Sequence, residues 1–276
     1  MPSPARGSPF HSLDATKVLN FLLQYAGLVL ALNELLQTQF VPDNPSSSTP
    51  LGQSLRGVIE HHNAGNYAHR DFETNKVAFL VQHLKTLREK EPDLLKHYRR
   101  EFQRAGETDS YFGLRFEVAT IAALLERGVR PMKGERPDLR IPGGDVAIEC
   151  TGARVRSVSA RADPHTKLWA TISQKSQQPY SNRSTALFVD ITNMAFYSKP
   201  FDPDEYRTAA VATNEQNNFG ATLLFVTMMN KPLDRYETNY LRIDHPQISP
   251  SLQTFLDSQY PSGAHRVGDR SIPYEA

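Results

Sequence analysis

The 276-residue chain holds one cysteine, Cys150, and one tryptophan, Trp169. A single thiol excludes any disulfide within the chain and matches a reducing, intracellular, cytoplasmic setting. An excess of one charge is equally lacking, since 31 Lys+Arg against 30 Asp+Glu leave a formal net charge of +1. Nucleic-acid contact must therefore rest on local patches rather than on the field of the whole protein. There is no internal repeat and no Gly-rich phosphate loop. A clean membrane span is missing too. The most apolar window, VLNFLLQYAGLVLAL (18–32), is interrupted or flanked by Asn20, Gln24, Asn33 and Glu34 and is short for a bilayer. As a signal peptide it is weak, because Asp14 precedes it and no small-x-small cleavage site follows. Leu19, Leu22, Ala26, Val29, Leu30 and Asn33 share one helical face, which predicts a buried or partner-facing helix and no membrane contact.

What is present is ordinary soluble composition, 39% apolar and 22% charged, in a length that allows one large domain or a core with a helical extension. The first half reads as helical. Asp14 is placed to cap a helix running to about Gln39, and VPDNPSSSTP (41–50) breaks the pattern. Val77, Leu80, Val81, Leu84 and Leu87 mark a second helix from about Asp71 to the break at Pro92. A third follows, capped by Asp93, with Leu94, Leu95, Tyr98 and Phe102 on one side. Lys96, Arg99, Arg100 and Arg104 lie on its other faces and read as a solvated face rather than a phosphate patch.

From Tyr111 onward helices alternate with strands. YFGLRFEVATIAALLERG (111–128) predicts an amphipathic helix closed by Gly128. VRPMKG (129–134) is a short strand candidate, and a helix is expected over roughly 166–178. TALFVDIT (185–192) and ATLLFVTMM (221–229) read as buried strands, because their apolar runs are nearly continuous. A helix from FDPDEYRTAAVATNEQ, a strand at YLRID (240–244) and a helix at SLQTFLDSQY (251–260) complete the pattern. The expectation is an α/β fold, with an N-terminal helical region over 1–108 and an α/β domain with a mixed, helix-flanked sheet over 109–276.

The stretch PDLRIPGGDVAIECTG (137–152) carries the chemistry. If Gly143 and Gly144 centre a hairpin turn, Asp138 faces Glu149 across the strands. Facing residues share a side of the sheet, with Cβ atoms about 5 Å apart. Two carboxylates that close repel unless they share a cation. A one-residue slip would instead put them on opposite faces. Thr151 follows on the Glu149 side. Glu117 lies beside the apolar stripe of the 111–128 helix, where a carboxylate is expensive unless paired or metal-bound.

This order of elements resembles the PD-(D/E)XK nuclease superfamily, with its restriction-endonuclease-like fold. Pro137-Asp138 stands for the PD element, Glu149-Cys150-Thr151 for (D/E)XK, and Glu117 for the acidic residue of the first core helix. The likeness covers roughly residues 111–229. It implies a metal-dependent hydrolase of phosphodiester bonds, acting on DNA in preference to RNA. Mg²⁺ or Mn²⁺ would be held by Asp138, Glu149, the Cys150 backbone carbonyl and Glu117. The chain departs from the family at Thr151, where a lysine is usual. A charge at ~4 Å is worth about 4 kcal/mol at an effective dielectric of 20, so another cation must fill the space or the domain is inactive. In the second case it would bind nucleic acid or a protein partner.

Lys175, on the stripe of Leu168, Thr171 and Ile172 in HTKLWATISQKSQQ (165–178), is the candidate replacement, with Gln174 or Gln177 contacting substrate. The alternative is that Lys175 reaches out to solvent. Arg154, Arg156 and Arg161 follow the hairpin as phosphate ligands or as parts of a solvated loop. His61, His62 and His69 read as surface or loop residues, Trp169 and Phe188 as core, and Cys150 as a small buried hydrophobe. The N-terminal helices are open to a homodimer, a partner or substrate.

Overall fold

A computed structural model describes residues 15–45, 48–104, 106, 108–154, 163–197, 202–214, 216–230 and 235–262. Asp14, Arg156 and Arg161 lie outside these residues. Four helices come first: α1 (Ala15–Leu36), α2 (Pro50–Asn63), α3 (Tyr67–Lys90) and α4 (Pro92–Arg104). The α2 helix was not expected. The Pro/Ser run that breaks the pattern also starts a helix, because Thr49 Oγ1 accepts from Gly52 N at 3.1 Å and Pro50 occupies the first turn, where a missing N–H does no harm. Leu51, Leu55 and Val58 bury its inner face. His61, His62 and His69 therefore sit in helices, not loops, and His62 stacks on Phe21 at 4.7 Å. At α4, Pro92 begins the helix and Asp93 lies in its first turn rather than at its cap.

The apolar α1 buries Tyr25, Val29, Leu32, Leu35 and Leu36, while Leu19, Leu22, Leu23 and Leu30 are exposed. The expected face thus splits: Val29 is core, and Leu19, Leu22 and Leu30 are not. Leu19–Leu36 is long and apolar enough to cross a membrane by length and composition, and 28% of it is buried.

The helix α5 (Thr108–Glu126) ends as expected at Gly128. With φ at 81°, Gly128 lets Val129 N reach Leu124 O at 2.9 Å and its own N reach Leu125 O at 3.1 Å. This pair of bonds closes a left-handed cap. Strands β1 (Met132–Lys133), β2 (Leu139–Arg140) and β3 (Ala147–Gly152) follow. After them come α6 (Pro164–Ser176), β4 (Thr185–Asp190), α7 (Thr192–Tyr197), α8 (Pro203–Asn214), β5 (Ala221–Asn230), β6 (Arg235–Asp244) and α9 (Pro250–Gln259). β4 stops at Asp190 because its carboxylate turns back to accept from Thr192 N at 2.9 Å, opening the short α7 that the strand reading overran.

The sheet has six strands in sequential order β1 to β6. β1, β2 and β3 are antiparallel, β3, β4 and β5 parallel, and β5 and β6 antiparallel. Side-chain alternation explains the continuous apolar runs. Ile148, Ala186, Phe188, Leu223 and Phe225 enter one core with α1 to α5 and α9. Leu187, Val189, Leu224 and Val226 enter a second with α6 and α8. Both sheet faces are covered, so every second residue finds apolar company whichever way it points. The first core runs unbroken from Tyr25 and Leu55 through Tyr98 to Phe188, so α1 to α4 share their buried interior with the sheet. Phe188 is core as expected, whereas Trp169 is 51% exposed on α6.

Candidate active site

The hairpin register is the expected one. Leu139 pairs with Ile148 and Arg140 with Ala147, and continuing that ladder outward sets Asp138 opposite Glu149. The turn differs in detail. Residues 142–145 form the connection, Ile141 N donates to Val146 O at 2.9 Å, and only Gly143 takes a positive φ, 88°. The two carboxylates are linked through the backbone: Asp138 N donates to Glu149 Oε2 at 3.3 Å, and Cys150 N donates to Asp138 Oδ2 at 2.8 Å. Gly134 fixes the approach to Asp138, donating its N–H to Asp138 O at 2.9 Å. A Cβ at this position would lie 2.5 Å from Pro137 O, a backbone atom that cannot swing away.

Glu149 is 2% exposed, a burial that an ionised carboxylate tolerates only with partners. It has two. Lys175 Nζ lies 2.5 Å from Glu149 Oε1, and Tyr180 OH donates to the same oxygen at 2.8 Å. Leu168 and Ile172 are fully buried on the stripe that Lys175 continues, so the helix aims the ammonium inward rather than to solvent. Glu117 is 6% exposed. It accepts a hydrogen bond from Tyr98 OH of α4 and pairs with Lys133 Nζ at 2.7 Å. Lys133 also reaches Asp138 Oδ1 at 3.7 Å, tying Glu117 to Asp138.

The charges act on one another. Burial, with Glu117 and Glu149 nearby, pushes the Asp138 carboxyl up to about 6 despite the Cys150 N–H and Lys133. Burial alone would lower Lys133, but the Glu117 and Asp138 carboxylates hold it above the ordinary lysine range. Burial first and Glu117 second push the Tyr98 phenol well up. Burial and Asp138 do the same to the Cys150 thiol, which contacts Thr120 Oγ1 at 3.7 Å. It remains a protonated, inert sulfhydryl, as its reading as a buried hydrophobe requires.

Glu117, Asp138, Glu149, Cys150 and Lys175 line one cleft of about 630 Å³, with Arg104 and Arg136 also on its wall. Thr151 is half-buried on the Glu149 side of β3 and is not part of the lining. Gln174 and Gln177 are exposed and stand off the cleft, while Gln178 accepts from Arg136 Nη1 at 3.5 Å. Arg154 is elsewhere, over the Phe112 ring at 3.4 Å in a second pocket.

Sequence reasoning missed Lys133, Tyr98, Tyr180, Arg104 and Arg136. Lys133 carried one signal: it sits on the short strand just ahead of the PD element. Arg104 belonged to a charge run read as a solvated face, and in a helix only its neighbours decide which face meets the cleft.

The donor set suits a hard divalent cation, with three carboxylates, a peptide carbonyl nearby and one carboxyl destabilised by like charge. Among the described residues no three acidic, His or Cys side chains are gathered in a metal-holding arrangement; two lysine ammoniums meet the carboxylates instead. No family model matches the chain, and no curated protein or solved structure matches it.

Proposed function

We propose that the chain is a Mg²⁺- or Mn²⁺-dependent nuclease of the PD-(D/E)XK type, on a restriction-endonuclease-like plan, hydrolysing phosphodiester bonds in DNA. The observation that carries this reading is the meeting of Glu117, Asp138, Glu149 and Lys175 in one cleft. Asp138, Glu149 and the Cys150 carbonyl would hold the ion, with Glu117 completing or orienting its shell. When bound, the ion supplies charge that polarises the scissile phosphate and lowers the pKa of the attacking water. The side chains do the rest. Lys175 takes the part of the lysine missing at Thr151, stabilising negative charge as it develops in the in-line displacement. Tyr180 and Tyr98 fix the rotamers of Glu149 and Glu117 by hydrogen bonds. Arg104 and Arg136 are placed to hold flanking phosphates.

One observation favours a second reading. Lys133 and Lys175 already neutralise the carboxylates without a metal, as they would in a non-catalytic nuclease-like domain that binds nucleic acid or a protein partner. A cleavage assay on single- and double-stranded DNA and on RNA separates the two. With Mg²⁺ or Mn²⁺, the wild type should cut DNA, and Asp138→Ala should lose about 10³-fold or more, the scale of removing a group that acts on transition-state charge. Equal, metal-independent behaviour of the two proteins on every substrate would leave the binding reading.

A further inference from the structure

A second pocket opens on the other side of α5, just beyond the carboxyl ends of the parallel strands, where Gly152 ends β3, Asp190 ends β4 and Phe225 pairs with Asp190. In α/β sheets this is where the strand ends and their loops leave a crevice. Its volume is about 100 Å³. Phe72, Phe79, Phe116 and Leu80 give it apolar walls.

Its cations are unusual for a site so enclosed. The Arg154 guanidinium lies 3.4 Å, the Lys76 ammonium 5.1 Å and the Arg115 guanidinium 5.2 Å from the centroid of one ring, Phe112. Lys76 is paired with Glu73 at 2.7 Å. Arg115 Nη1 is buried with no hydrogen-bond partner among the described residues. A guanidinium N–H kept from both water and an acceptor is unfavourable, so such a group points to an acceptor that arrives from outside. His83, also in the lining, adds no charge at neutral pH, since burial and Arg115 hold it down at about 4.

We propose that this pocket binds a small monocarboxylic acid with a short-chain apolar body. The carboxylate would be taken by Arg115 beside Lys76 and Arg154, and the body would lie against the phenylalanine rings. Arg115 offers the planar fork that a carboxylate fits. The Asp190 carboxylate in the same lining opposes a dianion, and the volume is below the ~150 Å³ of a cavity that takes benzene, which leaves no room for an aromatic ring or a nucleotide. Arg115 and Glu117 project from the same helix into different pockets, so this site does not depend on what the cleft does.

The test is calorimetric titration of the full-length protein with 3-methylbutanoate, alongside benzoate, inorganic phosphate and adenosine monophosphate. Saturable binding of 3-methylbutanoate at about 1 mM or tighter, weakened tenfold or more by Arg115→Gln in a protein that melts as a folded chain, is the expected result. Ala119→Leu, which fills the pocket without touching a charge, should abolish binding as well and serves if Arg115→Gln does not fold. No saturable binding of 3-methylbutanoate by folded wild type, a preference for benzoate, phosphate or the nucleotide, or binding unchanged in either folded variant would overturn the proposal. Nuclease activity is not read in this experiment, so its outcome stands apart from the cleft's.

Discussion

Asp138 is held in the fold against electrostatic resistance. Its carboxyl is pushed up to about 6, above the ~3.9 of an unfolded aspartate. Between these values the folded protein binds more protons than the unfolded chain, so stability falls as pH rises from about 4 to about 6, and the full penalty applies above that. A shift of this size corresponds to at most about 3 kcal/mol. In EDTA, Asp138→Asn should therefore melt above wild type at pH 8 and level with it near pH 4. A variant less stable than wild type at pH 8 would show that the carboxylate is not strained. Lys175 acts in the opposite sense, because removing it leaves Glu149 buried with neutral donors alone, Tyr180 OH and Asp138 N. Lys175→Ala should lose about 3 kcal/mol of stability, the scale of breaking a buried pair, and also most of any cleavage. Adding Glu149→Gln should restore stability but not cleavage, as a denaturation and activity cycle will report. The facing of Asp138 and Glu149 was legible in the sequence because a turn centred on glycines fixes register, and register fixes faces. The inward aim of Lys175 followed from helical spacing. Lys133, Tyr98 and Tyr180 were not legible in this role, since which long polar side chain reaches a carboxylate depends on how distant elements pack.

The elements that set the site in place tolerate little change. Gly134 lies between β1 and β2 at the close approach to Pro137 and Asp138. Gly134→Ala should displace Asp138 and destabilise the fold by about 2 kcal/mol, as overpacking against backbone does, with a matching loss of any cation binding. Gly220, whose Cβ would meet Arg183 O at 2.1 Å, fixes the start of β5 in the same way. Most helices and buried strands could be read from periodicity. The exceptions were α2, where a Thr-Pro start hid in a breaker-like run, and α7, where an aspartate turn ended an apolar strand early. The exposure of Trp169 was missed for a related reason, because a tryptophan on an amphipathic helix reads as core until the neighbouring elements are seen.

On the scale of the whole molecule, the N-terminal helices are not an appendage. Tyr98 of α4 bonds to Glu117, Arg104 lines the cleft, and one buried cluster joins α1 to α4 with the sheet. A fragment containing only 109–276 should lose near-UV circular dichroism and cooperative melting, because α5 would lose the buried partners that α1 to α4 give it; a cooperatively folded fragment would separate the halves. The division at residue 108 was read from the change in sequence grammar, which marks where helices begin to alternate with strands but says nothing of which elements share a core. The proposed function requires a divalent cation among these carboxylates, beside Lys175. Mn²⁺ titration followed by electron paramagnetic resonance measures this most directly. The account predicts a saturable site in wild type that weakens at least tenfold in both Asp138→Asn and Glu149→Gln, while identical Mn²⁺ binding by all three folded proteins would contradict it.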